Sequence, residues 1–167
     1  MTLPGDKSAS GQTRKTPAPD QKKIIGWREW VGLPDLGIDN IKAKIDTGAR
    51  TSTMDAEGYE LIEEDGIILA RFQVTFGNRN KLKAKVCRAR VVENRKVTNS
   101  GGQVEERIVI LSHIKIGPLI KEIEITLTQR KNMKFRMLLG RTAISEDFLV
   151  DAARSYLTGR KQKRADN

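Results

Sequence analysis

The segment Ile41-Lys42-Ala43-Lys44-Ile45 alternates apolar and basic residues and runs directly into Asp46-Thr47-Gly48-Ala49. Alternation with a period of two is the pattern of a strand with one face buried. Thr-Gly straight after the Asp reads as a tight turn at the strand end. The glycine allows close backbone approach, and the threonine hydroxyl both donates and accepts hydrogen bonds. The chain is therefore expected to hold one carboxylate rigidly at a strand end, as acid/base hydrolysis requires. Taken alone, the same tripeptide is also an ordinary strand-to-turn exit.

The period-two pattern recurs along most of the chain. Residues 24–31 read as a strand, followed by the turn-like Gly32-Leu33-Pro34. Residues 59–63 and 67–76 flank Glu64-Asp65-Gly66 as a hairpin. Leu82, Ala84 and Val86 alternate with Lys81, Lys83 and Lys85. The pattern then loses register at Cys87-Arg88-Ala89-Arg90, where a bulge or bend is expected. Residues 91–97 and 105–111 bracket Thr98-Asn99-Ser100-Gly101-Gly102, a long hairpin with a flexible tip. Ile123, Ile125 and Leu127 alternate with Glu122, Glu124 and Thr126, and only residues 141–148 read as a short helix. Many short strands separated by turn signals predict an all-β barrel or sandwich.

A length of 167 residues suits one ordinary domain with its own core. The expected division is a disordered leader over 1–23, a β-barrel domain over 24–157 and a basic tail over 158–167. No apolar run approaches a membrane span, and residues 1–20 lack the apolar core of a secretory signal, so a cytoplasmic protein is expected. The single cysteine, Cys87, rules out an internal disulfide and reads as a small strand residue. The formal net charge of +10 invites a nucleic-acid reading. Its distribution weakens that reading: residues 1–22 carry four basic and two acidic residues, and residues 158–167 carry four and one. Half of the excess thus sits at the two ends. Aromatic residues make up only 5% and form no stacking platform for bases.

A second motif lies far downstream, Met137-Leu138-Leu139-Gly140-Arg141-Thr142. An apolar pair, then Gly-Arg and a small polar residue, downstream of Asp-Thr-Gly-Ala, resembles the two-part signature of retropepsin-like aspartic proteases. Gly26-Trp27-Arg28-Glu29-Trp30-Val31-Gly32-Leu33-Pro34, the segment Ile41 to Ser52, Phe148-Leu149-Val150-Asp151 and Arg154-Ser155-Tyr156-Leu157 extend the likeness to one bacterial branch. That branch is the ATP-dependent zinc protease family (DUF785), also described as RimK-associated and retropepsin-like. The resemblance runs over about residues 24–160 and implies a closed acid-protease barrel with one short C-terminal helix.

The resemblance makes Asp46 the catalytic carboxylate. Hydrolysis of a peptide bond by carboxylates needs two of them sharing one proton. The chain has a single Asp-Thr-Gly, so the second would come from another copy in a homodimer, with Asp46 repeated across a twofold axis. Thr47 would grip the partner's loop, Gly48 would place a carbonyl along the cleft, and Gly140 and Arg141 would support the loop that includes Ala49. The tip at Asn99, Ser100, Gly101 and Gly102 is the candidate flap, with the turn at Glu64-Asp65-Gly66 as the alternative. Lys42, Lys44 and Arg50 lie close to Asp46 in sequence and are candidates to read an acidic substrate.

Two positions depart from the patterns that the resemblance brings. Viral retropepsins commonly place an acid after Asp-Thr-Gly-Ala to pair with the Arg of Gly-Arg; here it is Arg50, so the pairing must be rewired or Arg50 must point elsewhere. The bacterial branch commonly has Ala-Leu-His-Ala where this chain has Thr53-Met54-Asp55-Ala56. With one histidine, His113, and one cysteine, no zinc site is expected. No Gly-Lys-Ser/Thr loop supports ATP binding, and no cofactor is expected. The family's association with RimK-type ATP-grasp ligases, which add glutamates to a protein tail, suggests an acidic, glutamate-rich peptide substrate and a functional link to such a ligase. The expected function is an aspartic endopeptidase. The alternative is a non-catalytic basic β-barrel that binds RNA, ribosomes or an acidic protein; a metal-dependent peptidase is a third, weaker option.

Overall fold

In the computed structural model, residue 18 and residues 21–78, 80–129 and 134–159 are described. Eleven strands, one 3-10 turn and one helical turn follow each other in the order β1 (Lys23–Gly26), β2 (Arg28–Leu33), the 3-10 turn (Pro34–Leu36), β3 (Ile38–Ile45), β4 (Ser52–Asp55), β5 (Glu57–Glu64), β6 (Ile67–Asn78), β7 (Lys81–Thr98), β8 (Val104–Ile116), β9 (Leu119–Thr128), β10 (Met137–Leu139), α1 (Arg141–Ile144) and β11 (Phe148–Asp151). The fold is all-β, as the alternating sequence predicts.

Nine strands form one sheet in the order β2-β3-β10-β4-β9-β8-β7-β6-β5. A bridge between Gly32 of β2 and Lys115 of β8 closes the first six of them into a ring. Inside the ring, Ile41 and Ala43 of β3, Met54 of β4, Ile110 and Ile114 of β8, Ile125 of β9 and Met137 and Leu139 of β10 are buried to 2% exposure or less. The strands keep one face dry, and burial of these side chains supplies most of the driving force for closure. β5, β6 and the first half of β7 extend beyond the ring as a wing. Its inner face, with Ala70, Phe72, Val74 and Cys87, packs into the same core. β1 and β11 form a separate parallel pair, Lys23 opposite Phe148.

Three local expectations need correction. The strand expected over 24–31 is two strands broken at Trp27, whose N–H turns away to the carbonyl of Arg154 at 2.9 Å. The helix expected over 141–148 is the single turn α1; Phe148 opens β11, because its segment finds a strand partner in β1. No bulge occurs at residues 87–90: β6 and β7 pair without interruption from Leu69–Arg90 to Asn78–Lys81. The opposite face of β7 meets the core instead, with Leu82 and Val86 exposed and Cys87 and Ala89 buried. The register shift in β7 lies between Val91 and Glu93, against β8.

Of the expected leader 1–23, residues 1–17, 19 and 20 lie outside the described residues, and Lys23 opens β1. Of the expected tail 158–167, residues 160–167 lie outside them. Thr158 is tied to the fold by Glu29, a carboxylate with no solvent exposure. Glu29 accepts from Gly26 N (2.7 Å), Leu157 N (2.8 Å), Thr158 N (3.3 Å) and Thr158 Oγ1 (2.9 Å). The Arg28 guanidinium lies between the rings of Trp27 and Tyr156, at 4.5 and 5.0 Å from their centroids. These contacts strap residues 154–158 across β2, joining two of the segments that carry the resemblance. Among the described residues no helix is long and apolar enough to cross a membrane.

Candidate active site

Three remote segments build the site around Asp46. β10 lies between β3 and β4, parallel to the first (Leu139 opposite Ile45) and antiparallel to the second (Leu138 opposite Thr53). The loop from Asp46 to Thr51 joins β3 to β4 and therefore arches over the end of β10. The chain leaving β10 ties this arch from beneath. Asp46 N donates to Leu139 O at 2.8 Å, Arg141 N to Ala49 O at 2.8 Å, and Thr142 N to Arg50 O at 3.0 Å. Gly140 N donates to Ser52 Oγ at 3.1 Å, and Arg141 Nη1 to Thr47 O at 3.0 Å. A Cβ on Gly140 would sit 2.6 Å from the carbonyl carbon of Thr51 and 2.8 Å from that of Arg50. Real Cβ atoms do not approach backbone that closely, so the crossing needs glycine.

Asp46 is half-buried, and its Oδ1 accepts the Gly48 N–H at 3.0 Å. Among the described residues no cation pairs with its carboxylate. It opens into a cleft of about 910 Å³ that it shares with Gly48, Ala49, Arg50 and Thr51 of the loop, Thr53 of β4, Thr126 of β9, Leu138 of β10, and residues of the β7–β8 hairpin. Thr53 and Thr126 are buried in the cleft floor and share a hydrogen bond of 2.9 Å.

The hairpin contributes Asn99 and Ser100 from its tip, so the candidate flap and the Asp46 loop line one cleft. Gly101 and Gly102 are at the tip but are not lining residues. Asn99 organises this turn: its Oδ1 accepts from Gly101 N and Gln103 N, both at 3.0 Å, and its carbonyl accepts from Gly102 N at 3.0 Å. Gly102 takes a φ of +80°, which only glycine adopts without strain. The alternative flap, Glu64-Asp65-Gly66, lies at the end of the wing hairpin and is not part of the cleft.

Of the basic residues near Asp46 in sequence, Arg50 lines the cleft and Lys42 and Lys44 do not. The Lys42 ammonium rests over Trp30, 5.2 Å from the ring centroid. Arg141 turns onto the Thr47 carbonyl, so it does not rely on an acid at the position of Arg50. Asp55 is 2% exposed and paired with Arg136 Nη1 at 2.6 Å, at the end of β4 away from the loop.

The cleft also contains residues that a linear reading passes over: Glu93, Arg95, Lys96 and Arg107. Arg95 and Arg107 are directly opposed on β7 and β8. Pairing Val97 with Glu105, the ends of the two strands expected to bracket the tip, would have placed them opposite each other. Arg95 donates to both carboxylate oxygens of Glu93 (3.3 and 2.7 Å), to Glu124 (3.1 Å) and to Thr51 Oγ1 (3.3 Å). The Glu93 carboxyl is lowered below its usual range by the hydrogen bond and charge of Arg95, and Arg95 is raised in turn.

His113 and Cys87 do not assemble a zinc site. His113 Nδ1 and its backbone N both meet Asp35 Oδ2 at 2.8 Å on the surface, and Cys87 is buried with its thiol raised by desolvation. Among the described residues no group of three or more His, Cys, Asp or Glu is placed to hold a metal ion.

Comparison with known proteins shows the family and the fold. Residues 24–161 match the family described as RimB-like, retropepsin-like aspartic endopeptidase RimB. The crystal structure of a protein of unknown function (DUF785) from Legionella pneumophila superposes with a TM-score of 0.68 at 31% identity, covering 81% of this chain and 98% of that one. Proteins named "probable alpha-L-glutamate ligase" are also similar. The one from Shewanella halifaxensis is 39% identical over 143 residues, and that from Desulfotalea psychrophila 37% over 144. Each alignment spans 85–86% of this chain but 31% of the relative, so the chain corresponds to about a third of the length of these curated relatives. The zinc protease name attached to DUF785 has no support in the matched family description. The chain belongs to the RimB-like family of retropepsin-like aspartic endopeptidases.

Proposed function

We propose that the chain is an aspartic endopeptidase whose active unit is a homodimer, with Asp46 and the partner's Asp46 as the catalytic pair. The observation that carries this reading is the placement of Asp46: held at a strand end by a loop tied to Gly140 and Arg141, facing a cleft, and without a cationic partner among the described residues. Two carboxylates about 3 Å apart cannot both ionise and share one proton. The ionised one takes a proton from the attacking water as it adds to the scissile carbonyl. The protonated one gives its proton to the carbonyl oxygen. Collapse of the tetrahedral adduct breaks the C–N bond, and the leaving amine takes up a proton from the pair.

An acidic peptide is the favoured substrate. Arg50, Arg95, Lys96 and Arg107 line the cleft against Asp46 and Glu93, so its charge favours anionic chains and disfavours basic ones. The relatives' name, alpha-L-glutamate ligase, supports a functional link to an ATP-grasp ligase that makes glutamate-tailed proteins. The test compares cleavage of glutamate-tailed and glutamine-tailed peptides by wild type and Asp46→Asn. The expected result is preferential cleavage of the acidic peptide, loss of cleavage in the variant, and specific activity that rises with protein concentration as dimers form. Cleavage that persists in Asp46→Asn would remove Asp46 from the mechanism. Absence of cleavage by both proteins, with salt-sensitive binding of RNA or acidic peptide retained, would favour a binding module instead.

A further inference from the structure

The four cations that line the cleft are committed to different degrees. Arg95 spends all three of its nitrogens on Glu93, Glu124 and Thr51. Arg50 and Lys96 are exposed and hold no fixed partner among the described residues, so they contribute a field rather than a geometry. Arg107 is different. It is 6% exposed, yet Nε (3.3 Å) and Nη2 (3.2 Å) both donate to a single oxygen, Oε2 of Glu105. Nη1 has no partner among the described residues. No fully buried side-chain nitrogen there lacks one, so Nη1 keeps some exposure to solvent, and Arg107 is a lining residue of the cleft.

A guanidinium taken out of water loses hydration that one shared oxygen replaces only in part. Its planar fork is shaped to accept a carboxylate through two parallel N–H bonds, and such bonds are the strong ones. The strand pairing also fixes its place, opposite Arg95 and along the arm that leads to Asn99 and Ser100. We propose that Arg107 is the specificity-determining residue of the cleft, reading a glutamate or aspartate side chain of the bound peptide through its open guanidinium edge. This rests on the reading of the cleft as a peptide site. It also gives Glu105 a role: its exposed carboxylate holds the fork in place and competes with the substrate for it.

The test uses the full chain carrying Asp46→Asn, so that binding is read without cleavage. Fluorescence anisotropy measures affinity for a glutamate peptide and its glutamine counterpart at fixed salt. The glutamate peptide is expected to bind at least roughly tenfold more tightly, the range of a charge-assisted pair. Adding Arg107→Gln should bring the ratio close to one, and Arg107→Lys should keep part of it. Arg50→Gln and Lys96→Gln should keep most of it. Glu105→Gln should strengthen binding of the acidic peptide. A ratio taken on one preparation does not depend on the fraction folded, so a destabilised variant still reports.

The proposal is overturned if the parent shows no preference, or if Arg107→Gln leaves the ratio intact. It is also overturned if Arg50→Gln or Lys96→Gln lowers the ratio as much, which would indicate a diffuse field. Cleavage by the Asp46-bearing chain separates this from the peptidase reading. A ratio that collapses in Arg107→Gln while neither peptide is cleaved keeps the subsite and removes the peptidase. Cleavage with an unchanged ratio does the reverse.

Discussion

Asp46 and Asp55 stand on either side of β4 and are treated in opposite ways. Asp55 is sealed from water and paired with Arg136, so its charge is spent on holding the fold. Asp46 is half-buried, its carboxylate accepts the Gly48 N–H, and it opens to a cleft. The fold supplies cations near both, but at Asp46 it turns them away: Arg141 onto a carbonyl, and Arg95 onto Glu93 and Glu124. On the proposed mechanism Asp46 must gain and lose a proton, so it has to be kept from a permanent counter-ion. A carboxylate sealed inside the protein has to be given one.

The sharpest break between the two is Asp46→Asn. It should lower kcat by roughly 10³-fold or more, the scale of lost acid/base catalysis, in a steady-state peptide assay. Its stability should stay within about 0.5 kcal/mol of wild type by urea titration, as for sites outside the packed core. Arg136→Met should invert the pattern. It takes the Arg136 cation from a buried carboxylate, and a loss of about 3–5 kcal/mol is expected from the same titration. Asp55→Leu combined with Arg136→Met should recover most of that loss; if it does not, the pair is more than a satisfied charge. Gly140→Ala sits between the two, because its methyl would displace the loop backbone at Arg50 and Thr51. About 1–3 kcal/mol should be lost, as for overpacking, with kcat/KM falling further than the unfolded fraction explains.

The smallest effect concerns a third aspartate. Asp35 is lowered from 3.8, first by the backbone N–H of His113 and then by its ring. A lowered folded pKa means that this stabilisation is complete above about 3.8 and is lost as acidification passes through the lowered value. His113→Ala removes the ring and keeps the backbone donor, so the Asp35 carboxyl should move only part of the way back, as read by NMR titration. A full return would mean that the backbone bond does not hold it.

Much of this architecture is legible in the sequence because it is local. The hairpins around Glu64-Asp65-Gly66 and residues 98–102, and the strand entering Asp46, follow from alternation and turn residues within about ten positions. β7 shows the limit. Leu82, Ala84 and Val86 have the right period for a buried face, but the core lies on the other side, where Lys85 caps the 3-10 turn through Gly37 O at 2.8 Å. Period tells which residues share a face and not which face finds a neighbour. The break at Trp27 was hidden because its cause, Arg154, is remote in sequence. The same holds for Arg136 with Asp55 and for Arg107 in the cleft, whose meaning depends on strand order.

The way β10 threads between β3 and β4 has a consequence for how the molecule is made. A chain emerging from the ribosome exposes Asp46 well before the groups that fix its loop, Leu139 to Thr142, which lie far downstream in the sequence. Contacts of such long sequence separation form late and depend on the rest of the sheet. The acidic residue is therefore synthesised long before the loop that orients it can be locked. On the proposed mechanism, a nascent or truncated chain that ends before β10 carries the motif without the activity. On that mechanism, completion of β10 would be the chain's own safeguard against premature proteolysis.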